Sequence, residues 1–171
     1  CNKLKPISAT RNVRNEIWDL ARSIRHRGYM KESRYQRKFI VQNFIPNLKD
    51  DWKILIFHDR YYVLNRKTRD NDFRASGSGK FFFTKDVPKG MLYFAESVFQ
   101  RFNVPHISMD VAYDGAEFYL VEFQAVYFGT TAIEKAPFYF RLENKNFECV
   151  DAKSELEKIY VESVARYLTL K

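Results

Sequence analysis

Only two cysteines, Cys1 and Cys149, occur in the 171 residues of this chain. They are too few for a disulfide framework and lack metal-ligand spacing, so the chain suits a reducing compartment and the cytoplasm is its expected location. No apolar run approaches the roughly 18 residues that a membrane helix needs, and the opening Cys1-Asn2-Lys3-Leu4-Lys5-Pro6 has no signal-like apolar stretch. An initiating methionine is also lacking, and the chain is expected to start inside a longer protein. The histidines, His26, His58 and His106, are scattered without ligand spacing and are read as surface or turn residues rather than catalytic bases. No Gly-x-Ser-x-Gly element and no Cys-His arrangement supports nucleophilic hydrolysis. Internal repeats, low-complexity tracts and an interdomain linker are absent as well.

What is present is aromatic and basic. Phe and Tyr dominate an aromatic content of 17%, enough large groups for one well-buried domain. Lys+Arg 29 against Asp+Glu 21 gives a net charge of +8. An anionic partner fits that charge, but charge alone does not choose between nucleotide, nucleic acid and acidic membrane. The stretch from Arg22 to Lys38 interleaves basic residues with Tyr29 and Tyr35, yet its cations do not form one periodic stripe. A solvated face is the better reading there than a nucleic-acid track.

Hydrophobic periodicity predicts the elements. Val13, Ile17, Leu20, Ala21 and Ile24 predict an amphipathic helix over about 13–25, capped by Thr10 or Asn12 and stopped by Gly28. The apolar run 39–45, closed by Pro46, predicts a buried strand. Residues 52–57 and 61–65 flank His58-Asp59-Arg60 as a hairpin. Residues 67–80 read as a mobile loop, Pro88 as the opening of a helix with Met91, Ala95, Val98, Phe99 and Phe102 inward. A strand pair is expected around Glu143 to Asn146, and a final helix capped by Asp151 with Leu156, Ile159, Tyr160, Val164 and Tyr167 inward.

Chemistry concentrates between these elements. Asp110, Glu122 and Gln124 lie on two predicted strands that fold back at Asp114-Gly115. Strand period places Leu120, Glu122 and Gln124 on one face. A tight two-residue turn would put Asp110 on the other face, so a three-residue connection, Asp114-Gly115-Ala116, is predicted, pairing Asp110 with Leu120 and diagonal to Glu122. Hard oxygen donors aimed together suit Mg²⁺, with Mn²⁺ as an alternative, and such an ion leaves positions for substrate phosphates. Basic residues at Lys5, Lys53, Arg66 and Arg74 complete the pattern of a metal-nucleotide site.

With Lys5-Pro6, Gln42-Asn43-Phe44-Ile45, Asp51-Trp52-Lys53, Arg66, Phe73-Arg74-Ala75-Ser76, Asp110 and Glu122-Phe123-Gln124 in this order, the chain resembles the ATP-grasp superfamily over residues 3 to 130. The likeness is closest to the ligase branch that includes glutathione synthetase and the ribosomal-protein glutamate ligase. It implies an α+β fold, an ATP-grasp-type antiparallel sheet with packed helices, lacking the upstream domain of a complete enzyme. Residues 1–45 would end the nucleotide lobe and hinge, and 46–171 would form the metal and substrate lobe. The implied activity is ATP-dependent activation of an unidentified carboxylate as an acyl phosphate, attacked by an amine or similar nucleophile. Phosphoryl transfer of that kind depends on positioning and on neutralising spread negative charge.

Residue by residue, the resemblance implies that Lys5 reaches the ATP phosphates and that Gln42, Asn43, Phe44 and Ile45 bind the adenine edge, with Leu120 and Val41 beside them. Asp51 and Lys53 match an acid-base pair near phosphate, Arg66 and Arg74 face the acyl phosphate, and Asp110, Glu122 and Gln124 bind the metal. Three departures stand out: Gln124 replaces asparagine, Ser76 replaces the loop asparagine, and residues 7–14 contain no glycine where the family has a glycine-rich phosphate loop. The chain alone is expected to bind Mg-ATP weakly and not to turn over. Rival readings are a non-catalytic nucleotide-binding or interaction module, an ATP-grasp kinase, and a nucleic-acid-binding domain. No membrane partner is expected.

Overall fold

The computed structural model describes residues 17, 18, 20, 21, 24, 25, 41–46, 48–68 and 79–170. The chain divides into two compact units, Cys1–Asn43 and Phe44–Lys171. In the first, Ile17, Trp18, Leu20, Ala21, Ile24 and Arg25 are helical, within the helix expected over 13–25. Its proposed caps and stop lie outside the described residues. Val41 to Ile45 carry no regular structure, and Val41 and Phe44 are exposed. The strand expected over 39–45 is therefore not formed in its described half. Apolar composition alone does not make a strand without a partner ladder, and the turn at Pro46 ends the segment.

The second unit is α+β, an open antiparallel sheet of seven strands with three helices. In chain order these are β1 (Asp50–Phe57), β2 (Arg60–Lys67), β3 (Phe81–Phe82), α1 (Met91–Phe102), β4 (His106–Tyr113), β5 (Phe118–Gln124), α2 (Thr131–Lys135), β6 (Tyr139–Glu143), β7 (Asn146–Val150) and α3 (Leu156–Thr169). The sheet runs β5-β4-β1-β2-β6-β7, with β3 paired to the end of β2.

Both faces of the middle strands are buried, which is why β1, β2 and β4 read as near-continuous apolar runs rather than a clean alternation. On one face Trp52, Ile54, Ile56, Val63, Ile107 and Met109 pack against Met91, Leu92, Ala95 and Phe99 of α1. Val98 and Phe102 pack against the same cluster as half-buried flanks, close to the predicted stripe. On the other face Leu55, Phe57, Tyr62 and Leu64 meet Ala132 and Ile133 of α2 and Ile159 of α3.

The turns follow local chemistry. His58 takes a left-handed φ of 57° at the β1–β2 turn, and Asn144 and Lys145, at 50° and 65°, close β6 onto β7. Pro88 does not open α1. Its carbonyl accepts from Met91 N at 3.0 Å, and Gly90, at φ 92°, is the N-cap. Asp151 does not cap α3 either; Glu155 holds that position, while Asp151 pairs with Lys85 at 2.5 Å. Val164 is exposed, and the inward position is filled by Ser163, which donates to the Pro105 carbonyl. Among the described residues no helix is long and apolar enough to cross a membrane.

Candidate metal and phosphate site

The site is built by register. Across antiparallel ladders, directly opposed residues share a face. Glu122 opposes Asp110, Asp110 opposes Lys53, and one step along Asp51 opposes Arg66. Four strands therefore contribute charged groups to one end of one sheet face.

A β-bulge sets this arrangement. From Tyr113↔Phe118 to Val111↔Leu120 the pairing is regular, and then Val121 is passed over so that Asp110 meets Glu122. The turn is wider than predicted: Asp114 N donates to the Glu117 carbonyl, and Asp114 Oδ1 accepts from Ala116 N and Glu117 N, both at 2.8 Å. Gly115 supplies the left-handed φ, 103°. The expected pairing of Asp110 with Leu120 is corrected to Asp110 with Glu122, a direct rather than a diagonal neighbour. The bulge also carries Leu120 to the opposite face, where it packs beside Val111. Leu120 accordingly does not share a face with Glu122.

The cationic side chains close on the carboxylates. Arg66 grips Asp51 bidentately, Nε to Oδ1 at 2.6 Å and Nη2 to Oδ2 at 2.8 Å, and Nη2 also reaches Asp110 Oδ2 at 2.8 Å. Lys53 Nζ lies 3.1 Å from Asp110 Oδ1. These four side chains are between 11% and 18% exposed, so their attraction is only weakly screened by water. Burial pushes the Asp51 carboxyl above its ordinary value, with the Arg66 guanidinium opposing that shift. Burial pulls the guanidinium down, but its hydrogen bonds to Asp51 and Asp110 prevail and hold it more basic than usual.

Glu122 and Gln124 are exposed on the edge strand β5, and Gln124 Nε2 donates to Glu122 Oε1 at 2.7 Å. The amide thus orients Glu122 through its nitrogen. Among the described residues no group of three or more His, Cys, Asp or Glu side chains forms a metal cluster. Two opposed carboxylates nevertheless fit Mg²⁺ chemistry, in which protein commonly provides one or two and phosphates and water provide the rest. Lys5 and Arg74 lie outside the described residues, as does most of the expected loop 67–80. Gln42, Asn43 and Phe44 are exposed and Ile45 is half-buried, all without regular structure.

Two features escaped the sequence reading. His106 is buried rather than superficial, stacked on Phe57 at 5.1 Å and edge-on to Tyr160 at 4.9 Å. Its position opposite Phe57 in the ladder follows from register, which composition does not reveal. The other is a cleft of about 450 Å³ at the far end of the sheet, lined in part by Asp59, Glu96, Phe99 and Leu142. The signal for it was Glu96, a carboxylate bordering the apolar stripe of α1. Compared with protein-family models, curated proteins and solved structures, the chain finds no match.

Proposed function

We propose that the chain is the metal- and phosphate-binding part of an ATP-grasp-type carboxylate ligase. The observation that carries the reading is the convergence of Asp110, Glu122, Lys53 and Arg66 from four adjacent strands onto one end of one face. Bound Mg²⁺ would neutralise β- and γ-phosphate oxygens. Asp110 and Glu122 would hold it through hard oxygens, with Gln124 fixing the orientation of Glu122. Lys53 offers a point charge to phosphate, and Arg66 offers the N–H donors of Nη1, since Nε and Nη2 are taken by Asp51 and Asp110. Asp51 keeps the guanidinium in place by occupying Nε and part of Nη2. Lys5, Arg74 and the segment Gln42 to Ile45 enter this reading through the family resemblance alone, as the phosphate lysine, the second arginine and the adenine-binding hinge.

A second reading draws on the same ion pairs. Both oxygens of Asp110 are already engaged by Lys53 and Arg66, a closed network that would also suit a non-catalytic nucleotide-binding or interaction module.

Titration calorimetry with Mg-ATP tests the proposal. Weak, magnesium-dependent binding is expected for the protein, and Glu122→Ala, an exposed position that tolerates truncation, should weaken it about tenfold, the value of one lost charge-assisted contact. Affinity in Asp110→Ala/Glu122→Ala equal to that of the unaltered protein removes the metal assignment. Formation of ADP by the full-length protein with a carboxylate present decides for the ligase over the module, since the chain alone is not expected to turn over.

A further inference from the structure

The chain is strongly basic, yet the cleft at the far end of the sheet is acidic. It lies where the β1–β2 turn, the C-terminal half of α1 and the end of α3 meet. Its apolar wall comes from Phe99, Val104, Pro105, Leu142 and Leu170, and its charged lining consists of Asp59 and Glu96, beside His58. No lysine or arginine belongs to the lining among the described residues. At about 450 Å³ it falls within the size of small-molecule sites, which combine apolar walls with a few polar anchors.

The two carboxylates are not equivalent. Asp59 has counter-charges: Arg166 Nη1 stands 3.1 Å from Oδ1 and Arg141 Nε 3.9 Å from Oδ2. Glu96 has none. Its Oε2 accepts from the Tyr61 hydroxyl and its Oε1 from Gln100 Nε2 at 2.7 Å, both neutral donors. Burial, and then the hydrogen bond to Glu96 and the charge of that carboxylate, push the Tyr61 hydroxyl far above its ordinary value, so Tyr61 stays a neutral donor to Glu96. A half-buried carboxylate, fixed by two donors beside an apolar wall, gains most from a cation that brings its own apolar body.

We propose that this cleft binds a small organic cation, an ammonium group on an alkyl or aryl body, with Glu96 as its counter-ion. The site is separate from the metal and phosphate site. Lys53 and His58 are five residues apart on one strand and its turn, or about 17 Å at the rise of a β-strand. The inference therefore does not rest on nucleotide binding.

Three probes of one shape test it on the full chain: phenethylammonium, 2-phenylethanol and 3-phenylpropionate, followed by amide chemical shifts. Phenethylammonium is expected to shift Glu96, Gln100 and Asn103 saturably, with the alcohol about tenfold weaker and the acid weaker still, because a charge-assisted contact is replaced or reversed. Glu96→Gln should abolish the preference for the amine. Absence of saturable shifts, equal binding of amine and alcohol, or a preference that survives Glu96→Gln would overturn the proposal. The three-probe comparison on the unaltered chain decides the matter even if Glu96→Gln fails to fold.

Discussion

Arg66 and His106 show how differently a buried cation and a buried imidazole are accommodated. Arg66 brings two carboxylates together, and each partner offsets the desolvation of the others. Among the described residues His106 has no such partner. Its Nδ1 is buried without a hydrogen bond, its ring is walled by Phe57, Phe128 and Tyr160, and burial pulls its pKa below the ordinary value of 6.5. The folded state therefore keeps the ring neutral while the unfolded chain takes up a proton first. Stability is fully present above about pH 6.5 and falls as acid is added toward the folded value. His106→Phe, which preserves the stack, should leave stability at neutral pH within about 1 kcal/mol and remove the histidine part of that acid decline. Urea midpoints measured across the range check this; an unchanged acid slope in the variant would refute it.

The hairpins and helices were legible where local chemistry and period agreed. The stripe Met91, Ala95 and Phe99 predicts α1 because one face of that helix meets one face of the sheet. The β6–β7 turn was legible because Asn144 accepts a left-handed backbone. The β4–β5 pair was only half legible. Asp114-Gly115 announced the turn, and oxygen donors facing Lys53 and Arg66 were anticipated, but the bulge at Val121 depends on packing of Leu120 and Phe118 against the core, which no local pattern encodes. The short helix α2 was missed for the same reason: five residues show no period, and Ala132 and Ile133 are helical because they cover Leu55 and Leu64. Gly115 tests how far this turn is set by backbone alone. A Cβ there meets no atom within 4 Å, so Gly115→Ala should cost about 1 kcal/mol from the left-handed φ and nothing from crowding. A thermal melt shows the loss; a shift severalfold larger would mean that the turn is packed.

At the scale of the molecule, two apolar clusters on opposite faces of one sheet make Phe44–Lys171 a unit with its own core. Residues 44–171 expressed alone are expected to fold cooperatively. Trp52, 7% exposed, reports on this because Trp18, the other tryptophan, is absent from that piece. Its emission should be blue-shifted in buffer and shift to the red in a single transition with denaturant. Red-shifted emission in buffer would show that the core needs the first unit.

The sheet order also dictates the sequence of events by which it assembles. β1–β2, β4–β5 and β6–β7 are each closed by a short turn, whereas β1 reaches β4 only across α1, as in the pairing of Lys53 with Asp110. Hairpins close in roughly 1–10 μs, while distant segments must first lose the entropy of a long loop. The late steps expected are therefore the two long-range pairings that join the three hairpins, β1 with β4 and β2 with β6. The Asp51–Arg66 pair arises inside the first hairpin, whereas Lys53 and Arg66 meet Asp110 only when β1 and β4 join.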